Sequence, residues 1–326
     1  MNLNPKYYEF DKYEIQIDLL ETMQEIETYD AETRQKELLK CAISFPYFCH
    51  KYVKINHPKR GMIPFVLYKY QRRCVEDYET YRFNILPKFR QGGFTTTTAV
   101  WAAWRCLFRF YETIIFLSPS HQQSVVVEKM IQRIISELPS WMKSEIEQSN
   151  RQKTFPKTDS KLYLFTPECT IGTSVTYWTS VTYLIVDEAA FVPEMDKCWK
   201  TLYPTVSPTD GNCICISTIN DVENWFSGML DHAREKNNSF HVIESDYHKR
   251  PEFDTEEWAK QTRAILGEKA WQQEYSYKSP VMNSCESEKN SPQWDKTTAT
   301  GMDQEQTPRT TPFIQELNRE IEHHNA

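Results

Sequence analysis

The sequence predicts an α/β protein built on a mostly parallel sheet covered by helices on both faces, and three observations carry that expectation. Short runs rich in β-branched and aromatic residues alternate along the chain with longer stretches of helical periodicity. The runs are nearly continuous apolar segments, the pattern of strands buried on both faces. Two of them end in chemically distinctive pairs: Gly92-Gly93 follows one at the opening of a helix, and Asp187-Glu188 closes another. Open α/β sheets place their ligands at such strand ends.

The elements follow in order. Residues 12–30 alternate acids with Ile15, Ile17, Leu19 and Leu20 and read as an acidic helical arm. Leu38, Leu39, Ala42, Ile43 and Phe45 continue at helical spacing through 31–52 until Pro46 interrupts. A turn is expected at His57-Pro58-Lys59-Arg60-Gly61. Beyond it the expected strands are 83–86, 113–117, 162–165, 183–186, 213–217 and 240–244, and the expected helices are 95–109, 122–138 and 254–275. From about Ser279 the chain turns polar and poor in large apolar residues, a composition that cannot bury enough surface to order itself. Within it, 312–321 has the pattern of one short amphipathic helix. The expected organisation is an acidic, helical N-terminal extension (1–55), a domain over 56–280 and a disordered low-complexity tail (281–326).

Composition narrows the class. With 40% apolar and 13% aromatic residues among 326, the chain can build a large packed core. It contains no run of 18 uncharged apolar residues, and its first eleven are too acidic and aromatic for a signal peptide. A soluble intracellular protein with no membrane partner is therefore expected. The nine cysteines show no paired CxxC spacing, and only Cys213 and Cys215 lie close, two apart as on one face of a strand. Buried free thiols in a reducing compartment are expected. The net charge of −7 hides an uneven distribution: residues 51–110 carry twelve bases against three acids. A basic block in an acidic chain suggests a polyanion site, for nucleotide phosphates or a DNA backbone, or else a solvated basic face.

The chemistry concentrates in three places. Lys88-Phe89-Arg90-Gln91-Gly92-Gly93-Phe94-Thr95-Thr96 has the setting of a phosphate-binding loop. Its glycines let successive N–H groups point at phosphate oxygens, and the following helix adds its positive end. Thr95 and Thr96 both qualify to place a hydroxyl on Mg²⁺. Against GxxxxGK[ST], Phe94 stands where the lysine belongs, so Lys88 or Arg90 would have to supply the charge from the other end of the loop. Asp187-Glu188, closing the apolar run Tyr183-Leu184-Ile185-Val186, suits a nucleotide hydrolase: Asp187 for Mg²⁺, Glu188 to polarise the attacking water. Ser217-Thr218 ends a third apolar run, where hydroxyls can sense the terminal phosphate. Upstream, Tyr70 could stack on adenine and the Gln71 amide could match its edge; a tyrosine-rich amphipathic helix is the plainer alternative.

With these residues in view, the chain resembles the large terminase subunits of tailed bacteriophages over about residues 40–280. The likeness includes the approach from His57 to Phe65, Tyr70-Gln71, the loop from Lys88 to Thr96, Asp187-Glu188-Ala189-Ala190-Phe191, and Trp271-Gln272-Gln273-Glu274-Tyr275. The last resembles the segment that precedes the nuclease domain in that family. Several terminases also carry a displaced lysine at the start of the loop, which makes Lys88 the expected substitute. The resemblance implies a RecA-like P-loop ATPase with ATP and Mg²⁺ as cofactors. Glu188 would activate water, Asp187 and Thr95 or Thr96 would serve Mg²⁺, and Lys88 would contact the β/γ phosphates. Arg90 would stabilise transition-state charge, and Ser217-Thr218 would match the coupling motif. Implied partners are double-stranded DNA, a portal protein, a small terminase subunit and further copies in a ring on the procapsid, in the host cytoplasm. Family members continue into an RNase H-like nuclease domain, whereas only a low-complexity stretch follows residue 280, so no nuclease activity is expected of this chain. The competing readings are a helicase-like P-loop motor and a degenerate ATPase kept for DNA binding or assembly.

Overall fold

The computed structural model describes residues 4–17, 21–57, 61–143, 146–149, 151–171, 181–220 and 224–275. The chain enters through a 3-10 turn (Glu14–Gln16) and the helices α1 (Met23–Glu27), α2 (Ala31–Ile43) and α3 (Phe45–Tyr52). An antiparallel hairpin of β1 (Lys54–His57) and β2 (Gly61–Pro64) leads to α4 (Lys69–Thr80). Then come β3 (Phe83–Pro87), α5 (Phe94–Phe108), β4 (Thr113–Leu117), α6 (His121–Glu137), α7 (Ser140–Lys143), β5 (Glu147–Ser149), β6 (Gln152–Phe155) and β7 (Ser160–Phe165). The last elements are α8 (Pro167–Ile171), β8 (Tyr183–Asp187), α9 (Met195–Val206), β9 (Asn212–Ser217), α10 (Trp225–Arg234), β10 (His241–Val242), α11 (Glu256–Leu266) and α12 (Glu268–Tyr275).

Eight of the described strands form one sheet in the order β10-β3-β9-β8-β4-β7-β6-β5. It is parallel from β10 to β7, and β6 and β5 add an antiparallel edge. The apolar runs become its centre: every residue of β8 is buried, as are all but the first of β3, β4 and β9. On one face, α2 to α6 pack a core that includes Tyr47, Phe48, Tyr78 and Trp101; on the other, α9 and α10 bring Cys198, Leu202, Phe226 and Leu230. The N-terminal helices share the first core directly, since the Trp104 indole N–H donates to the Cys41 carbonyl at 2.8 Å. For the site, one feature of the order matters most. Strand β9 lies between β3 and β8, pairing Pro87 with Ser217 and Asp187 with Ile216, so the three chemical strand ends stand side by side.

Several expectations are corrected. The helical run 31–52 is two helices: Ser44 caps α3 by accepting the Tyr47 N–H at 3.0 Å, and Pro46 sits in the first turn, where the missing N–H would have lacked a partner anyway. The run 254–275 breaks at Gly267, whose φ of +79° suits glycine. Among the described residues of 12–30 the arm is a 3-10 turn and a short helix, and the strand at 240–244 shrinks to two residues. Helices α9 and α10 and the β5–β6 edge were not anticipated. The turn residues 58–60 and the expected tail, with its helix at 312–321, lie outside the described residues.

Much of the basic block is paired with acids, while Lys88 stands at the phosphate loop and Lys59 and Arg60 lie outside the described residues. Lys51 pairs with Glu21 and Glu37, Arg72 with buried Glu14, Arg73 with Asp77, Arg82 with Asp210, and Arg105 with Glu79 and Glu112. Buried Arg109 donates to the carbonyls of Ala42 and Phe108. Charges adjacent in sequence are spread by helix and strand geometry to acids elsewhere. Among the described residues every cysteine is free, and all but Cys169 are buried; no described helix is long and apolar enough to cross a membrane.

Candidate active site

Strand β3 delivers the chain to Lys88, and the loop turns back on two left-handed residues, Gln91 (φ 60°) and Gly93 (φ 73°), before α5 begins at Phe94. Phe89 and Phe94 fold beneath the loop against Tyr70, with ring centroids 5.3 to 5.6 Å apart. A Cβ on Gly92 would collide with the Phe94 ring, so glycine there lets the loop lie flat on this aromatic floor. Phe94, at the motif's lysine position, is only 2% exposed. Its side chain belongs to the core.

The polar side of the loop faces the acids. The Lys88 ammonium lies 2.9 Å from Glu188 Oε1 and 3.4 Å from Asp187 Oδ1, and 3.2 Å from Thr95 Oγ1. Thr95 Oγ1 in turn lies 3.0 and 3.1 Å from the two Asp187 carboxylate oxygens. Burial alone would push the Lys88 ammonium down, but Asp187 and Glu188 outweigh it and hold Lys88 above its ordinary range, so the ammonium stays charged. Glu188 has φ 50° and ψ 46°, a left-handed conformation unusual for a non-glycine residue. That bend turns its carboxylate toward Lys88 instead of continuing the strand, and its second oxygen, Oε2, is buried without a hydrogen-bond partner.

Ser217 connects both halves. Its carbonyl accepts the Lys88 N–H at 2.8 Å, and its hydroxyl accepts the Ala190 N–H at 3.2 Å, just after the acids. Thr218 is buried beside it. Of the two candidate threonines, Thr95 faces the carboxylates, whereas Thr96 lines an adjoining cavity. Arg90 stands apart from this cluster: its guanidinium lies 2.8 Å from Glu274 on α12, its N–H donates to the Glu274 carbonyl at 2.7 Å, and its side chain is 62% exposed.

The expected adenine pair lies between the loop and a cavity, and both residues line that cavity. Tyr70 and Gln71, 4% and 3% exposed, point at the loop itself. The Tyr70 hydroxyl donates to the Gly92 carbonyl at 2.7 Å and the Gln71 amide donates to the same oxygen at 3.1 Å. Beside them opens a cavity of about 840 Å³, within the usual range for small-molecule sites, walled by Tyr8, Tyr68, Lys54, Thr96, Lys129 and Arg133 among others. Sequence reasoning missed Tyr8, Lys129, Arg133 and also Arg250, which donates to the Gln91 carbonyl. None of these lies near the loop in sequence, so no local pattern could reveal them.

Mg²⁺ can be tested against these residues. A threonine hydroxyl and two carboxylates converge as hard oxygen donors, which suits Mg²⁺. Among the described residues no group of three or more His, Cys, Asp or Glu could hold a metal unaided. The set fits an ion that shares its coordination with water and substrate phosphates, the usual habit of Mg²⁺.

A parallel sheet with a glycine loop on one strand, paired acids two strands away and a hydroxyl strand between them defines a P-loop nucleotide-binding fold of RecA-like type. Residues 88–304 match the family described as terminase large subunit, T4likevirus-type, N-terminal. The chain belongs to this family. Among solved structures it is similar to a point mutant of the large terminase ATPase domain of Thermus phage P74-26 (TM-score 0.53, 18% identity, covering 72% of this chain and 98% of that one). It is also similar to the large terminase of bacteriophage HK97 (TM-score 0.55, 15% identity), covering 73% of this chain but 55% of that one. At these identities the two structures speak for the fold alone.

Proposed function

We propose that this chain is the ATP-hydrolysing subunit of a terminase that drives double-stranded DNA into a procapsid. The observation that carries the chemistry is the convergence of Lys88, Thr95, Asp187 and Glu188 within hydrogen-bonding or ion-pair reach across two strand ends. Backbone N–H groups from Gln91 to Thr95 cradle the phosphates of ATP, and Lys88 carries the charge that the usual lysine would supply. Lys88 now neutralises Glu188; arriving phosphates compete for its ammonium and leave Glu188 free to accept a proton from the attacking water. Thr95 and Asp187 would hold Mg²⁺, which supplies neutralisation of the charge on the transferred phosphoryl group. Arg90 can reach developing charge only by leaving Glu274, and Ser217-Thr218 relay the change at the loop to the turn after the acids. The burial of Phe94 in the aromatic floor weakens the degenerate-ATPase reading, because its ring does not fill the phosphate side.

The motor role extends this reading through the family: a ring of copies on a portal protein, a small terminase subunit, and work in the host cytoplasm. The catalytic unit is taken as 56–280, with 1–55 as its extension. The test is steady-state ATP hydrolysis with Mg²⁺, with and without DNA, beside Glu188→Gln. Turnover should fall roughly 10²- to 10⁴-fold in the variant while ATP still binds, because shape is kept and the base is lost. Equal turnover in the variant would remove Glu188 from its role.

A further inference from the structure

The carboxyl end of β4 carries a buried hydroxyl that no described group pairs. Ser118 is 1% exposed, and its Oγ has no hydrogen-bond partner among the described residues. Buried side-chain hydroxyls are mostly paired, so an orphan calls for a water, an ion or a ligand to complete it. Its position says which. Strand β4 runs parallel to β8 with Leu117 opposite Val186, so the next pair in register sets Ser118 beside Asp187. The ladder still holds there, because the Ser118 N–H donates to the Phe165 carbonyl on β7 at 3.0 Å. Side chains alternate along a strand, and Ile114 and Phe116 on β4 enter the same core as Tyr183 and Ile185 on β8. Ser118 and Asp187 continue those two rows, so both face the α5 side, where Asp187 meets Thr95. Lys88 reaches Asp187 from β3, across the sheet from β4. Ser118 therefore stands on the flank of the carboxylate that the lysine leaves open.

We propose that Ser118 is a positioning residue for the Mg²⁺ site: its hydroxyl oxygen accepts a hydrogen bond from a water bound to the ion that Asp187 and Thr95 hold. The proposal deepens the nucleotide-site reading and rests on it. Mg²⁺ gives up its waters reluctantly, so a site with few protein donors must orient the waters that remain. Metal-bound waters donate, a serine oxygen has lone pairs to accept, and such outer partners fix the geometry of the inner ones. Until the metal arrives the hydroxyl is desolvated and unpaired, which costs stability. A serine kept for the fold alone would show the reverse, a paired hydroxyl that stabilises and a metal site indifferent to its loss.

The test measures ATP binding by calorimetry to the full chain and to Ser118→Ala, across a Mg²⁺ titration and in EDTA, with melting curves of both proteins without ligand. The Mg²⁺ concentration at half-effect should rise roughly 10- to 100-fold in the variant, the range for a lost outer partner of a metal site. ATP affinity in EDTA should not change. The melting temperature without ligand should stay or rise, because the substitution removes an unpaired buried hydroxyl. An unchanged Mg²⁺ midpoint would overturn the proposal, and a lowered melting temperature beside it would make Ser118 a residue of the fold. Equal weakening of ATP with and without the metal would also overturn it, by assigning the hydroxyl to the nucleotide itself. A wild-type chain that binds no ATP would overturn the nucleotide-site reading and the proposal with it.

Discussion

The two sides of the phosphate loop are built to opposite rules. Its front gathers Lys88, Thr95, Asp187 and Glu188, charges and hydroxyls held close by one another. Its underside gathers Phe89, Phe94 and Tyr70, rings packed edge to face with almost no exposure. The two sides interleave in sequence: Lys88 faces front and Phe89 back, then Phe94 faces back and Thr95 front. Read as a string, phenylalanine replaces the motif's lysine. In space, the cation has entered the front from the strand side and the position it vacated has been given to the floor. What the phosphate site requires is a charge at a place, and the chain can reach that place from either end of the loop.

The largest effect that would sharpen this contrast is at the front. Lys88→Ala should cost roughly 10² to 10³ in turnover, the scale seen when one preorganised electrostatic partner is lost at such sites. Steady-state ATP hydrolysis, with a melting curve to confirm that the variant is folded, gives the answer. Near-normal turnover would move the loop's working cation elsewhere and erase the distinction between its sides.

The underside predicts a loss of stability. Phe94→Lys restores the usual motif order yet drives an ammonium into the aromatic floor, which also loses a buried ring. Denaturant unfolding should show a loss of about 3 kcal/mol or more, from the packing and the unpaired charge together. Lys88→Ala combined with Phe94→Lys should not regain turnover. Recovery of activity in the double variant would show that residue 94 can turn to the front, and the two sides would then be interchangeable.

How much of this was legible in the sequence follows from what kind of signal each part carries. The central strands announce themselves because burial on both faces leaves continuous apolar runs, as at Tyr183–Asp187 and Asn212–Ser217. The loop and the acids are legible as strand ends with unusual residues. Helices α9 and α10 do repeat apolar residues at helical spacing, as at Met195, Cys198 and Leu202 or Trp225, Phe226 and Leu230, but Pro204 and Gly228 within two short helices mask the pattern. Nor could the string show that Ser217 would tie Lys88 to Ala190, since that depends on β9 inserting between β3 and β8. The pairing of the basic block was hidden for the same reason. Its arginines fall within one stretch of sequence, but their partners, Glu14, Glu79, Glu112 and Asp210, are scattered along the chain.

The smallest expected effect belongs to Arg90, which lies on the loop but on neither of its sides. Its bond to Glu274 joins two groups of which one is largely in water, and such pairs contribute about 0 to 1 kcal/mol. Arg90→Ala should therefore lower stability by less than about 1 kcal/mol and leave ATP affinity within the small range such surface pairs span. Any contribution of Arg90 to hydrolysis must come after it leaves Glu274, so it should appear in kcat with the dissociation constant for ATP unchanged. Glu274→Ala separates the two states of the side chain. If the ion pair restrains Arg90, freeing it raises kcat; if α12 holds the loop through the Arg90 N–H and the Glu274 carbonyl alone, kcat stays where it was. A marked loss of ATP affinity in Arg90→Ala would place Arg90 among the front residues and make the loop's cation a pair.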